Sequence, residues 1–393
     1  MRSLAIFFII LLVLAGAIVA FVVLTTPHQA ADFHPRLDEI AVVPASAEVF
    51  AIIPTAAALD GKLHANPVTR AAIERWRANQ PLPRPWMIGN ADLIAWKSGG
   101  AMHYFVRVDA LRALIVRTFV TSGAIDINVL PGDRLDGASV AEIRALAAKL
   151  PPGDALVVQR GNARGAYPPI GRPSATSVSI TPAEIRLTSV GPASAGLDRP
   201  KPVHTPEAVL APRFPRGAVL SVAFTTQPRL LGDLNRLFGA KISGFFGDGG
   251  MLCIYDVNTR TFLPRPLAVI VVPDTPQRRA DIAALGALAH TGERDGMLLI
   301  SFDRSIEQYQ NDAFDAAPAA GNQWTLRIDP LRLVPILKQL SNNVGLRIIA
   351  PRLYRSTRDL EGWIGGLEQA KVIDASESAG ADGETLQVRI AAK

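Results

Sequence analysis

Hydrophobic positions along the chain fall into three patterns. From Leu4 to Leu24 the sequence is apolar throughout and carries no charge. Further on, short apolar or alternating runs predict strands: AEVFAIIP (47–54), ADLIAW (91–96), MHYFVRV (102–108), AIDINVL (124–130), DALVVQ (154–159), AVLSVAFT (218–225), MLCIYDV (251–257), LAVIVV (267–272), MLLISF (297–302) and QWTLRI (323–328). The third pattern is helical. Ala57, Leu59, Leu63, Ile73 and Trp76 mark a helical face interrupted near Asn66-Pro67, and QPRLLGDLNRLFG (227–239), TPQRRADIAALGALAH (275–290, closed by His290), DRSIEQYQ (303–310) and RIIAPRLYRSTRDLEGWIGGL (347–367) predict further helices.

Capping and turn residues punctuate these runs. Asp109, Asp136 and Asp329 each stand where a side-chain oxygen can cap a following helix, and Pro330 occupies a permitted first-turn position. Between two of the strands, Lys97-Ser98-Gly99-Gly100-Ala101 reads as a hairpin turn. SVSITPAEIRLTSV (177–190) predicts two strands around Thr181-Pro182-Ala183, and AKVIDASES with ETLQVRI predicts a closing pair. Three prolines between Asn79 and Trp86 predict a loop.

The first run is long enough to matter by itself. As a helix it spans about 30 Å, the thickness of a bilayer's hydrocarbon core. Ala15-Gly16-Ala17 offers a small-residue cleavage pattern, but Ile18, Val19, Ala20, Phe21, Val22 and Val23 continue the run beyond it, so an uncleaved anchor is expected. Arg2 precedes the run, and between Thr25 and Pro35 the one formal charge is Asp32. The positive-inside tendency then keeps the N-terminus in the cytoplasm and puts the body outside it. The expected location is the inner, cytoplasmic membrane, with a periplasmic or extracytoplasmic body.

Beyond the run, the order of elements restarts after prolines 192, 200, 202, 206, 212 and 215. When Pro44 is set against Pro215, Ala47, Thr55, Leu59, Gly61 and Leu63 match Ala218, Thr226, Leu230, Gly232 and Leu234 without a gap. The expected organisation is an anchor (1–30), a first α+β unit (31–198), a proline-rich linker (199–216) and a second α+β unit with a C-terminal extension (217–393). The expected fold class is α+β: an N-terminal transmembrane helix, then two related mixed or antiparallel sheets with helices on one face.

Composition narrows the function classes. With 49% hydrophobic and 19% charged residues the chain is not predominantly disordered, and no second long apolar run exists for a multi-span transporter. Cys253 is the one cysteine, so neither an internal disulfide nor a thiolate cage can form. The net charge of +6 comes from basic residues spread along the chain, and a body outside the cytoplasm predicts no nucleic-acid partner.

Motifs for chemistry are sparse. No G-x-S-x-G, S-x-x-K, H-x-H or H-E-x-x-H occurs, so no catalytic, cofactor-binding or metal-ligating residue is assigned and no cofactor is expected. Gly247-Asp248-Gly249-Gly250 reads as a tight turn, and Cys253 as a small packing residue. Asp295, Asp303, Asp312 and Asp315 lie close in sequence and keep a hydrolase with paired carboxylates as an alternative, although Asp303 suits an N-cap. Arg352, Arg355 and Arg358 recur at every third position beside Tyr354. They form either a solvated helix face or a contact for an anionic surface or acidic partner.

The proline-led strand PASAEVFAIIP (44–54), its counterpart at 215–225 and the closing pair before Ile390 resemble a loosely defined group of bacterial exported proteins of unknown function, which have a single anchor and tandem α+β units. The resemblance implies architecture and location, with no catalytic motif to carry over. The expected function is a non-catalytic, membrane-anchored binding or scaffold protein of the cell envelope. It would be held to the lipid bilayer through residues 4–24 and would engage an envelope protein or polymer. The alternatives are the carboxylate hydrolase and a protein that binds lipid or another apolar ligand.

Overall fold

A computed structural model of the chain describes residues 32–77, 92–108, 113, 125–127, 132–160, 173–191, 213–224, 249–283, 289–315, 324–349, 354, 363–380 and 383–393. The expected anchor, the helix expected at 227–239, Asp109 and residues 199–212 of the expected linker lie outside these. Among the described residues no helix is long and apolar enough to cross a membrane. The fold is α+β, with a large antiparallel sheet and fewer helices. It divides into two compact units: residues 1–65, 74–181 and 189–191, and residues 66–73, 182–188 and 192–393.

The first unit begins with a 3-10 helix, His34–Val42. The elements after it are β1 (Val49–Ile53), α1 (Ala56–Ala65), α2 (Pro67–Arg77), β2 (Asp92–Ser98), β3 (Ala101–Arg107), β4 (Ile125–Ile127), α3 (Gly137–Ala147), β5 (Ala155–Gln159), β6 (Ser174–Ile180) and β7 (Glu184–Gly191). By the division above, the first residues of α2 and of β7 belong to the second unit. Strands neighbour one another in the order β6-β5-β1-β2-β3-β4. Every pair is antiparallel except β3–β4, which makes this sheet mixed.

Local chemistry accounts for most of these boundaries. The Asn66 carboxamide accepts from the backbone N–H of Val68 (2.9 Å) and Thr69 (3.3 Å), so α1 ends and α2 starts afresh with Pro67 in its first turn. Gly99 (φ 56°) and Gly100 (φ 86°) both adopt the left-handed conformation that a tight hairpin turn requires. The Asp136 carboxylate accepts from Ser139 N–H at 2.7 Å and caps α3. Alternation along β1 buries Phe50 and Ile52, which join Ile94, Trp96, Phe105, Leu156, Val158 and Ala175. Ile143 and Leu146 of α3, with Phe33 and Ile40 from the N-terminal 3-10 segment, close over this face.

The second unit contains β8 (Phe214–Pro215), β9 (Leu220–Phe224), β10 (Gly250–Asn258), β11 (Arg265–Pro273), α4 (Pro276–Ala283), β12 (His290–Arg294), β13 (Met297–Ser301), α5 (Ser305–Asn311) and β14 (Phe314–Asp315). It continues with β15 (Trp324–Ile328), α6 (Pro330–Leu340), α7 (Val344–Ile349), α8 (Ile364–Gln369), β16 (Ala370–Gly380) and β17 (Gly383–Ala392). The sheet order is β12-β13-β11-β10-β9-β15-β16-β17, antiparallel throughout. Asp329 caps α6 through the N–H groups of Leu331 (2.9 Å) and Arg332 (3.3 Å).

Two expectations need correction here. Instead of carrying helices on one sheet face, the second unit buries apolar side chains on both. Ile306 and Tyr309 of α5 pack with Met251, Cys253, Val271 and Leu299, while Ile282 of α4 packs with Leu252, Ile270, Val272 and Ile300. Successive residues of β10 and β11 are both apolar, so each strand serves two cores at once. His290 does not close a helix but begins β12. There the Asp295-Gly296 turn (φ 51° and 75°) folds residues 290–294 back on β13.

Candidate functional site

The cross-strand rows of the two units locate the chemistry. In the first unit Trp96, Phe50, Val158 and Ala175 stand opposite one another on β2, β1, β5 and β6, and all four are buried. A row of the second unit runs through Cys253, Ser221, Arg327, Asp374 and Arg389 on β10, β9, β15, β16 and β17. Apolar side chains give way to a charged network. Arg327 Nε lies 2.7 Å from Asp374 Oδ1, and its Nη1 lies 3.0 Å from Asp315 Oδ2. Arg216 Nε holds the other Asp315 oxygen at 2.7 Å. Phe214 lies under the Arg327 guanidinium, 5.5 Å from ring centre to Cζ. With its side chain 23% exposed, Arg327 keeps only part of its hydration, and two carboxylates and a ring face replace the rest.

Beside this row, Asp312 Oδ2 accepts from Gly217 N–H (2.7 Å) and from the Tyr255 hydroxyl (3.2 Å). Arg294 lies over Phe314, 4.2 Å from its ring centre, and donates to the carbonyls of Tyr309 (2.6 Å) and Gln310 (3.0 Å) at the end of α5. Burial pushes the Cys253 thiol up to about 12, a Ser221 hydrogen bond opposes this, and the Asp312 charge adds to it. Burial, then the neighbouring Cys253 and Asp312, also raise the Tyr255 hydroxyl well above the usual phenol range. This makes Cys253 a packing residue and Tyr255 a donor to Asp312, and neither is poised as a nucleophile. Cys253 is therefore expected to remain unmodified by a thiol reagent at neutral pH in the native chain and to react fully once denaturant is added, as read by mass. Labelling of the native chain would contradict the burial.

The four aspartates considered for hydrolysis have separate partners. Asp295 sits in the β12–β13 turn; Asp303 is not the N-cap of α5, which is Arg304, but one residue before it accepts from Ser305 N–H at 2.6 Å. Asp312 and Asp315 are held as described above. Among the described residues no group of three or more His, Cys, Asp or Glu is placed to hold a metal ion. His103 stacks on Trp96 (5.6 Å), and His34 Nδ1 meets Asp32 Oδ1 at 2.7 Å. Of the expected anionic-surface residues, Tyr354 is helical and half-buried, while Arg352, Arg355 and Arg358 lie outside the described residues.

A second surface feature has no counterpart among the expectations from sequence. Residues 259–264 join β10 to β11; with the flanking Asn258 and Arg265 they read NTRTFLPR, and they pack against α7. Asn343 Nδ2 donates to the carbonyls of Thr259 (3.3 Å) and Thr261 (3.4 Å), and the Thr259 hydroxyl bonds to Gln339. A Cβ at Gly345 would collide with the Phe262 carbonyl, so only glycine allows this approach. The seated loop leaves Phe262 60% and Ile348 63% exposed, with Val344 and Leu263 exposed as well. No family model, curated protein or solved structure matches the chain.

Proposed function

We propose that this is a membrane-tethered binding or scaffold protein of the cell envelope, made of two related sheet units carried outside the cytoplasm on one N-terminal helix. The observation that carries the reading is the uncharged apolar run at 4–24 ahead of a folded α+β body. A tether of this kind confines the body to the membrane surface and raises its effective concentration toward an envelope protein or polymer there.

Register supports the relatedness of the units. The alignment that sets Pro44 against Pro215 also sets the two ends of β1 against the two ends of β9. Val49 faces Lys97 and Gln159, while Leu220 faces Ile254 and Ile328. The order β6-β5-β1-β2-β3 corresponds to β16-β15-β9-β10-β11, every pair antiparallel. Unrelated sheets share a strand order by chance far more readily than they share both that order and a sequence match at the same positions, so common descent is the simpler source.

Fractionation of cells expressing the full chain tests the tether. The chain is expected in the membrane fraction after alkaline extraction, and a variant lacking residues 1–30 in the soluble fraction. Crosslinking before detergent should recover a fixed partner with the full chain. Recovery of the full-length product as a soluble polypeptide trimmed between residues 15 and 31 would remove the tether, and with it this function.

A further inference from the structure

We infer that the surface made by the β10–β11 loop and α7 is a lipid-contact platform, which seats Phe262, Leu263, Val344 and Ile348 in the interface of a bilayer bearing anionic headgroups. The inference rests on the proposed tether, which keeps the second unit close to a membrane, and gives the body its own contact there.

Three observations lead to it. The apolar side chains are exposed together at one place. Val344 and Ile348 are one helical turn apart on α7, and the Phe262 ring comes within 3.2 Å of where a Gly345 Cβ would stand. Large apolar groups exposed side by side, unlike single ones, mark an interaction surface. The charges carried by the loop and by α7 are all basic, with exposed Asp256 of β10 the nearest carboxylate in sequence. Arg260, Arg265 and Arg347 are exposed, residues 258–265 contain no carboxylate, and none of these arginines has an ion pair among the described residues. The platform is also pre-formed, since Asn343 and Gln339 pin the loop by hydrogen bonds and Gly345 admits its backbone. Aromatic and aliphatic side chains that enter the headgroup boundary, ringed by guanidinium groups that pair with phosphates, are the chemistry of an interfacial lipid contact. Protein interfaces are enriched in aromatic residues and Arg as well; what favours lipid here is that the loop and α7 carry arginines and no carboxylate.

Depth measurement on the full chain tests this. Cys253 is buried, so a spin label on Phe262→Cys or Ile348→Cys reports one site; a label on Asp295→Cys, whose side chain is 81% exposed, serves as the aqueous control. The chain is reconstituted into vesicles of phosphatidylcholine, with or without phosphatidylglycerol, and floated. The expected result is flotation, with labels at 262 and 348 reached by oxygen and shielded from a water-soluble relaxation agent in anionic vesicles, while the label at 295 stays aqueous. Replacing Arg260, Arg265 and Arg347 together by Gln should lower the ratio of immersed to aqueous label roughly a hundredfold, at about fivefold (about 1 kcal/mol) per arginine.

Flotation with both platform labels aqueous in every vesicle overturns the platform and leaves the tether standing. Labels shielded from both reagents mean that protein covers the surface, and also overturn it. Flotation that molar salt abolishes, with labels immersed at low salt, supports the platform and removes the tether. A chain that does not float with anionic vesicles overturns both.

Discussion

Ala175→Asp is expected to cost about 4 kcal/mol or more, because it places a carboxylate in a fully buried site beside Val158, in a core whose described members are apolar. The corresponding position of the second unit already holds Asp374, opposite Arg327. There the reciprocal changes apply. Arg327→Val alone should cost about 1–2 kcal/mol, since among the described residues it leaves half-buried Asp374 with the more distant Arg389 (4.0 Å) and Asp315 with Arg216. Adding Asp374→Ala to Arg327→Val should recover part of that loss, because an apolar pair replaces a stranded charge. Urea unfolding of these variants beside the parent chain measures this, with the midpoint reporting stability and an unchanged slope confirming comparable unfolding. If Ala175→Asp shifts the midpoint no more than a surface substitution does, the first row is not the packed core described here.

The comparison of those rows shows which features a sequence can convey. Strand positions, the Gly99-Gly100 turn and the caps at Asn66, Asp136 and Asp329 follow from interactions within a few residues, and such interactions are written locally. The match between the two halves is also a local pattern repeated, and the strands it links begin and end at equivalent positions. Which face of each strand is covered is a different matter. In β10 both Leu252 and Cys253 are buried, so alternation there carries no facing signal, and a one-sided helix layer does not follow from it. Strand β12 is hidden although Asp295-Gly296 is a strong hairpin dipeptide, because residues 290–294 alternate weakly and follow a helical run.

The charged row and the platform are illegible for another reason. Arg216, Asp315, Arg327 and Asp374 stand far apart in the chain and meet only through strand pairing, so no spacing announces them. Similarly, Phe262 and Ile348 read in isolation as ordinary core residues. Only the seat that Gly345 and Asn343 give the loop keeps them outside.

Lys62→Met should destabilise the first unit by about 3 kcal/mol, through the partner it abandons more than through its own loss. Its Nζ lies 2.5 Å from Asp154 Oδ1, and the Asp154 side chain is only 3% exposed. The other oxygen accepts from Ile180 N–H at 2.7 Å, and Asp154 N–H in turn bonds to the Val178 carbonyl, so the carboxylate holds the end of β6 against the start of β5. Gly153 leaves no room for relaxation, since a Cβ there would meet the Val178 carbonyl at 2.8 Å. Met retains the apolar stem and removes the ammonium, which strands a charge without opening a cavity. Asp154→Asn keeps an acceptor for Ile180 and should cost less than Lys62→Met. Combined with it, Asp154→Asn should return the protein to within about 1 kcal/mol of the Asp154→Asn value, because the pair is coupled. Urea midpoints of the four chains close the cycle. Strict additivity of the two single losses would mean that Lys62 acts through α1 packing alone and that the buried carboxylate does not depend on it.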